Sequence, residues 1–158
     1  LESPATKPEK QQVEVTNHYR HLMGRRALML NNKLLESARG HSRDMVLKGY
    51  FSHHAPDPER RTPSMRMKLA GYQLTGGSEN IARGASGPEA VHERWRHSSG
   101  HHRNILGPNW LELGSGNVGS FWTQNFGTRG VKLRQVLAEK QAEKQGAAKS
   151  GGKKRGST

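Results

Sequence analysis

Apolar and polar positions recur along this chain with two different periods, and the change of period falls near its end. In residues 13–29, Val15, Tyr19, Leu22 and Met23 return at helical spacing, and Gly24 offers a stop. Residues 31–48 carry a second stripe of Leu34, Leu35, Ala38, Met45 and Val46, with Asn31 or Asn32 as cap and Gly49 after the last turn. The stretch SHHAPDPERR, residues 52–61, predicts a loop, because its two prolines remove donors and restrict their neighbours. Thr62-Pro63 predicts a helix start, with the helix running to Ala70 before Gly71. Gly76-Gly77 then leads into a short extended piece, Glu79 to Ala82. Ser86 or Gly87 caps a further helix that has Pro88 early and Ala90, Val91, Arg94 and Trp95 along one side; Gly100 is its expected end. Beyond Pro108 the period drops to two, in Leu111-Glu112-Leu113 and again from Phe121 to Phe126, and Gly119-Ser120 between them signals a hairpin turn.

Helices first and a hairpin last predict an α+β domain, with a small sheet packed by helices. There is no internal repeat. Residues 1–12 are polar and include two prolines, which assigns them to a linker; residues 13–130 form the domain. Residues 131–158 make a basic tail, helix-permissive at first and ending in AAKSGGKKRGST. Such a composition buries too little apolar surface to offset its ordering entropy, so disorder is the expectation there.

A chain of 158 residues suits one domain, and with 31% apolar residues its core must be small. The absence of cysteine excludes a disulfide framework, Cys-ligated zinc and a thiol nucleophile. No apolar run reaches the length of a membrane span. The first residue is Leu1 rather than Met, which suggests a processed or truncated product. The formal charge is +13, and residues 132–158 hold eight Lys/Arg against two Glu. Such a balance points to an anionic surface or polymer as partner: nucleic acid, anionic lipid or a cell-wall polyanion.

Nine histidines provide the candidate chemistry. His92 and His97 flank a Glu, as in zinc proteases, but they are five apart, which turns them about 140° from each other on a helix. Both are expected to face solvent, whereas His41, on or beside the packed face of its helix, is expected to be a structural histidine. A second grouping is not local. His53 lies in the proline loop, Glu79 opens the short strand, and His101 begins Gly-His-His-Arg-Asn-Ile-Leu; each polar residue sits in an apolar or turn-forming frame. Two imidazoles and a carboxylate could bind a divalent metal with one position open, or form a hydrogen-bonded network without one.

At these residues the chain resembles the CAP superfamily, the SCP domain of cysteine-rich secretory proteins, venom allergens and plant pathogenesis-related proteins, and most of all its cysteine-free bacterial branch. The matching strings come in the family's order: Asn17-His18-Tyr19-Arg20, His41-Ser42-Arg43-Asp44-Met45, Gly49-Tyr50-Phe51-Ser52-His53, Arg61-Thr62-Pro63, Ala70-Gly71-Tyr72, Glu79-Asn80-Ile81-Ala82, Gly100 to Leu106, and Trp122 to Gly127. The resemblance implies a three-layer α-β-α sandwich with a central antiparallel sheet. It also implies a cleft in which His53, Glu79 and His101 match three of four family positions. The fourth, an acidic residue in eukaryotic members, falls on Ser98, which weakens any mechanism that needs two carboxylates. Asn104 falls where many relatives carry Gln beside the cleft.

Three readings of function follow. The first is a secreted or cell-envelope binding protein, a monomer, whose cleft holds a divalent metal such as zinc through His53 and His101, or a small-molecule or lipid ligand. The second is a metal-dependent peptidase or esterase with Glu79 as general base. The third is a polyanion-binding protein acting through residues 132–158.

Overall fold

The computed structural model describes residues 4–151. They form two units, Ala5–Gly130 and a tail from Val131.

The first helix, α1 (Lys7–Leu22), begins inside the stretch assigned to a linker. Thr6 and Glu9 make a reciprocal capping box, the Thr6 N–H donating to Glu9 Oε2 at 2.8 Å, and Pro8 occupies a first-turn position where no N–H is needed. A proline counted as a linker signal is therefore part of a helix start. After Gly24 the chain passes through β1 (Met29–Leu30) into α2 (Asn32–Lys48), capped by the Asn31 side chain and ended by Gly49 in the left-handed region, φ 67°. The proline loop contains one short 3-10 turn, Pro58–Arg60. Thr62 caps α3 (Pro63–Leu69).

The extended piece expected at 79–82 is the end of a longer strand, β2 (Leu74–Arg83), with Gly76-Gly77 inside it. Next come α4 (Pro88–Arg96) and α5 (Ser99–Ile105). The break between them lies at His97-Ser98, and Gly100 is within α5 rather than a terminator. The hairpin is β3 (Glu112–Val118) and β4 (Phe121–Arg129), turning at Gly119, φ 58°.

The sheet order is β1-β3-β4-β2. Its three long strands pair antiparallel, but β1 joins β3 in parallel, so the sheet is mixed. Helix α2 lies on one face of β3 and β4, while α1, α4 and α5 contact the sheet elsewhere. The close approach of α2 depends on Gly114 and Gly116: a Cβ on either would overlap α2 backbone, at Leu34-Leu35 and at Ala38-Arg39. With period two, Leu113, Trp122 and Phe126 take the opposite face and build the main core with Val13, Val91, Trp95 and Ile105. A smaller cluster of Leu34, Met67 and Tyr72 lies under α3. Met65 of α3 is 38% exposed.

In the tail, α6 spans Leu133–Gly151. This helix falls within residues 131–158, for which disorder is the expectation from composition; residues 152–158 lie outside the described range. Among the described residues no helix is long and apolar enough to cross a membrane.

Candidate functional site

Register decides the site. Glu79 lies opposite Asn125 across β2 and β4, and both side chains turn toward α2. Glu79 is 6% exposed, so its charge needs partners. Arg66 of α3 supplies the main one. Its Nη2 lies 3.0 Å from Glu79 Oε1 and 2.9 Å from Oε2, and it also donates to the His53 carbonyl at 3.0 Å. Arg66 Nη1 donates to the carbonyls of Arg60 and Arg61, at 2.9 and 3.1 Å. One guanidinium thus ties the carboxylate to both ends of the proline loop. Asn125 completes the cradle. Its amide nitrogen faces Glu79 Oε2 at 3.1 Å while its oxygen accepts from Ser37 Oγ and the Ala38 N–H.

His53 is the member that meets solvent. Its Nδ1 is 2.9 Å from Glu79 Oε1, and its side chain is 43% exposed. A carboxylate at Nδ1 fixes the proton there and leaves Nε2 as the free, basic nitrogen. His41, fully buried on α2, donates from Nε2 to the Ser52 carbonyl at 2.9 Å and stands 3.8 Å from Glu79 Oε1. Burial lowers its pKa to about 4, against the pull of the Glu79 charge. Tyr50 links His41 to Asp44, its hydroxyl 3.4 Å from His41 Nδ1 and donating to Asp44 Oδ2 at 2.7 Å.

His101 approaches from α5. Its Nδ1 is buried, with no hydrogen-bond partner among the described residues. Burial first, and the positive charge His53 would carry second, hold its pKa below the usual value. Asn104, one turn on, donates to the Glu79 carbonyl at 3.3 Å and to Asn80 Oδ1 at 2.9 Å. It fastens α5 to β2. Ser98, where relatives carry the second acid, caps α5 by position alone, with no side-chain bond to the helix.

Several functional or supporting residues escaped the sequence reading. Arg66 carries the site, yet nothing separates it in sequence from the other 25 Lys and Arg residues. His92 is buried, not solvent-facing: its ring meets Tyr19 edge-on at 5.3 Å, and Tyr19 in turn bonds His102 Nε2 at 2.8 Å. Burial holds the His92 pKa down as well. No group of three or more His, Cys, Asp or Glu side chains is disposed to hold an ion among the described residues. Glu79 is already committed to Arg66, His53 and Asn125.

The profile of the cysteine-rich secretory protein family, CAP, matches residues 13–126. YkwD of Bacillus subtilis (strain 168) is 42% identical over 120 residues, which cover 75% of this chain and 46% of that protein. An extracellular protein with an SCP domain from Bacillus anthracis has the same fold, with TM-score 0.74 and 29% identity over 81% of this chain and 45% of that one. An outer surface protein of Borrelia burgdorferi shares the fold at TM-score 0.71 and 15% identity, covering 82% of this chain and 96% of that one. The chain thus spans less than half the length of YkwD and of the Bacillus anthracis protein.

Proposed function

The chain belongs to the CAP, or cysteine-rich secretory protein, family, and on that basis we propose that it is a secreted or cell-envelope binding protein, monomeric, whose cleft takes a divalent metal such as zinc through His53 and His101. The observation that carries this reading is the His53–Glu79–Arg66 chain. A buried carboxylate bonded to Nδ1 orients an imidazole so that its other nitrogen meets a ligand, and this is how metal-binding histidines are held. The donor set fits a two-histidine site whose remaining positions go to water or to a ligand; a bound ion would supply Lewis acidity there. The location of a relative supports secretion: the Bacillus anthracis protein is extracellular.

The hydrolytic alternative asks Glu79 to take a proton. Both of its oxygens face Arg66, and Oε1 also bonds His53, so it positions His53 and has little capacity left to act as a base. Calorimetric titration with zinc at neutral pH tests the binding reading. One site is expected, weakened at least about tenfold in His53→Ala and in His101→Ala. Equal affinity in all three proteins would remove both histidines as ligands.

A second reading rests on the tail's charge, eight Lys/Arg against two Glu over residues 132–158. We propose that it tethers the protein to a polyanion. Removing those residues is expected to lower the salt needed to elute the protein from a heparin column; unchanged elution would place that affinity on the domain.

A further inference from the structure

The sheet order leaves β2 on an edge. A free edge presents a row of unpaired N–H and C=O groups, and proteins usually cover it. From Glu79 to Arg83 the carbonyls on this edge are capped by side chains. Asn104 donates to the Glu79 carbonyl at 3.3 Å, Trp95 Nε1 to the Ile81 carbonyl at 3.0 Å, and the Arg94 guanidinium to the Arg83 carbonyl. The three carbonyls are two residues apart, the spacing at which a strand turns its groups to one edge.

One step back, the same phase falls on Gly77. Among the described residues no side chain donates to its carbonyl, and Thr75 and Gly77 are exposed. This open end of β2 does not face bare solvent. With Pro63, Ser64, Met67 and Lys68 of α3 it lines a groove of about 210 Å³. Pro63 and Leu74 give the wall apolar surface over the buried Met67, and Lys68 adds a charge. Gly76 and Gly77 put no side chain between the groove and the backbone. Gly77 is also required from within, because a Cβ there would press on the Phe126 carbonyl oxygen and the Leu74 side chain.

We propose that the groove between α3 and the Leu74–Gly77 end of β2 receives an extended peptide by strand addition, with apolar side chains alternating with acidic ones. The pairing with β4 shifts register between Leu74 and Gly76, so the open edge is the short piece on the Gly77 side of that shift, and an uncapped strand edge is where another backbone adds. The pleat of an added strand sends alternate side chains inward, where Met67 and Leu74 lie, and Lys68, on a chain of charge +13, favours acidic residues over basic ones. The closure of Glu79, Ile81 and Arg83 sets the limit of the added strand, because Asn104, Trp95 and Arg94 already occupy their carbonyls.

The test uses the full chain and an array of immobilised extended peptides that alternate Val, Leu or Phe with Glu, beside the same set with Lys for Glu. Binding is expected in the acidic set and not in the basic one. The best binder is then remade with N-methyl groups on alternate amides. Methylation in the phase that faces β2 should weaken binding about tenfold, as loss of a backbone hydrogen bond does, and methylation in the other phase should not. Ser64→Trp, which fills the groove from the helix side, should abolish binding while circular dichroism stays unchanged, and Lys68→Glu should reverse the preference between the two sets. No binder in the array, binding indifferent to the phase of methylation, or binding that survives Ser64→Trp would each overturn the proposal.

Discussion

Glu79 and Asn80 are neighbours on β2, yet they build two buried networks of different character on opposite faces of the sheet. Glu79 turns toward α2 and collects charge: Arg66, His53 and, at a distance, His41. Asn80 turns the other way and collects amides. It donates to Gln124 Oε1 at 3.1 Å and to the His101 carbonyl, and Gln124 passes the chain to Gln12 and Thr16 of α1 at 3.1 and 3.0 Å. The pairing across β4 repeats the split, since Asn125 opposes Glu79 and Gln124 opposes Asn80. The amide network is sealed and neutral, and its members join four elements. The charged network opens to solvent at one imidazole. The first suits holding helices in register; the second suits holding one side chain in a chosen pose.

Breaking the charged network from within should cost most. Arg66→Met leaves the buried Glu79 carboxylate without its main cation and frees the proline loop from its anchor. A loss of about 3–5 kcal/mol is expected in urea unfolding. A loss below about 1 kcal/mol would mean that Glu79 finds solvent or another cation, and that the network is not closed.

Acid should strain the same side of the sheet. His41 titrates at about 4 in the folded protein, against 6.5 for the free imidazole. The unfolded chain therefore takes up the proton first. Stability is full above pH 6.5 and falls as pH drops from there toward 4, by an amount on the order of 3 kcal/mol from His41 alone. His92 and His101, also held below their usual values, add in the same direction. Melting temperature followed across this range checks the effect, and His41→Gln should flatten the slope. An unchanged slope in that variant would assign the acid sensitivity to other groups.

The amide network has no charge to strand, so its damage should be smaller and independent of pH. Gln124→Leu leaves Gln12 Oε1 without its donor and removes one of the two acceptors of Asn80 Nδ2, for about 2 kcal/mol in urea unfolding. A cost equal to that of Arg66→Met would erase the distinction between the two networks.

The elements were legible where a cap and a stripe agree, as with Asn31 and Thr62 at helix starts and Gly49 at a helix end. They were not legible where one residue type serves two ends. Pro8 reads as linker but opens α1, and Gly76-Gly77 reads as a break but lies within β2, where the neighbouring strand leaves no room for a Cβ. The site was half legible. His53 and Glu79 stand out as polar residues in apolar frames, and they meet. Arg66, Gln12, Gln124 and Asn80 look like surface residues, because what makes them internal is a partner far away in sequence. His92 hides for the same reason: the ring that buries it, Tyr19, belongs to another helix.

The smallest effect on stability should come from the residue closest to function. His53 is 43% exposed, and among the described residues its side chain bonds only a carboxylate that keeps Arg66 and Asn125 without it. His53→Ala is therefore expected to change unfolding free energy by no more than about 1 kcal/mol, while its zinc titration is weakened as proposed above. The two readouts separate a ligand from a brace. A side chain placed to support the fold would lose stability in proportion to its bonds and leave ion binding unmoved. A side chain placed to meet a ligand does the reverse. A loss as large as that of Arg66→Met with zinc affinity intact would move His53 into the supporting network and leave the charged face of the sheet with no outlet to solvent.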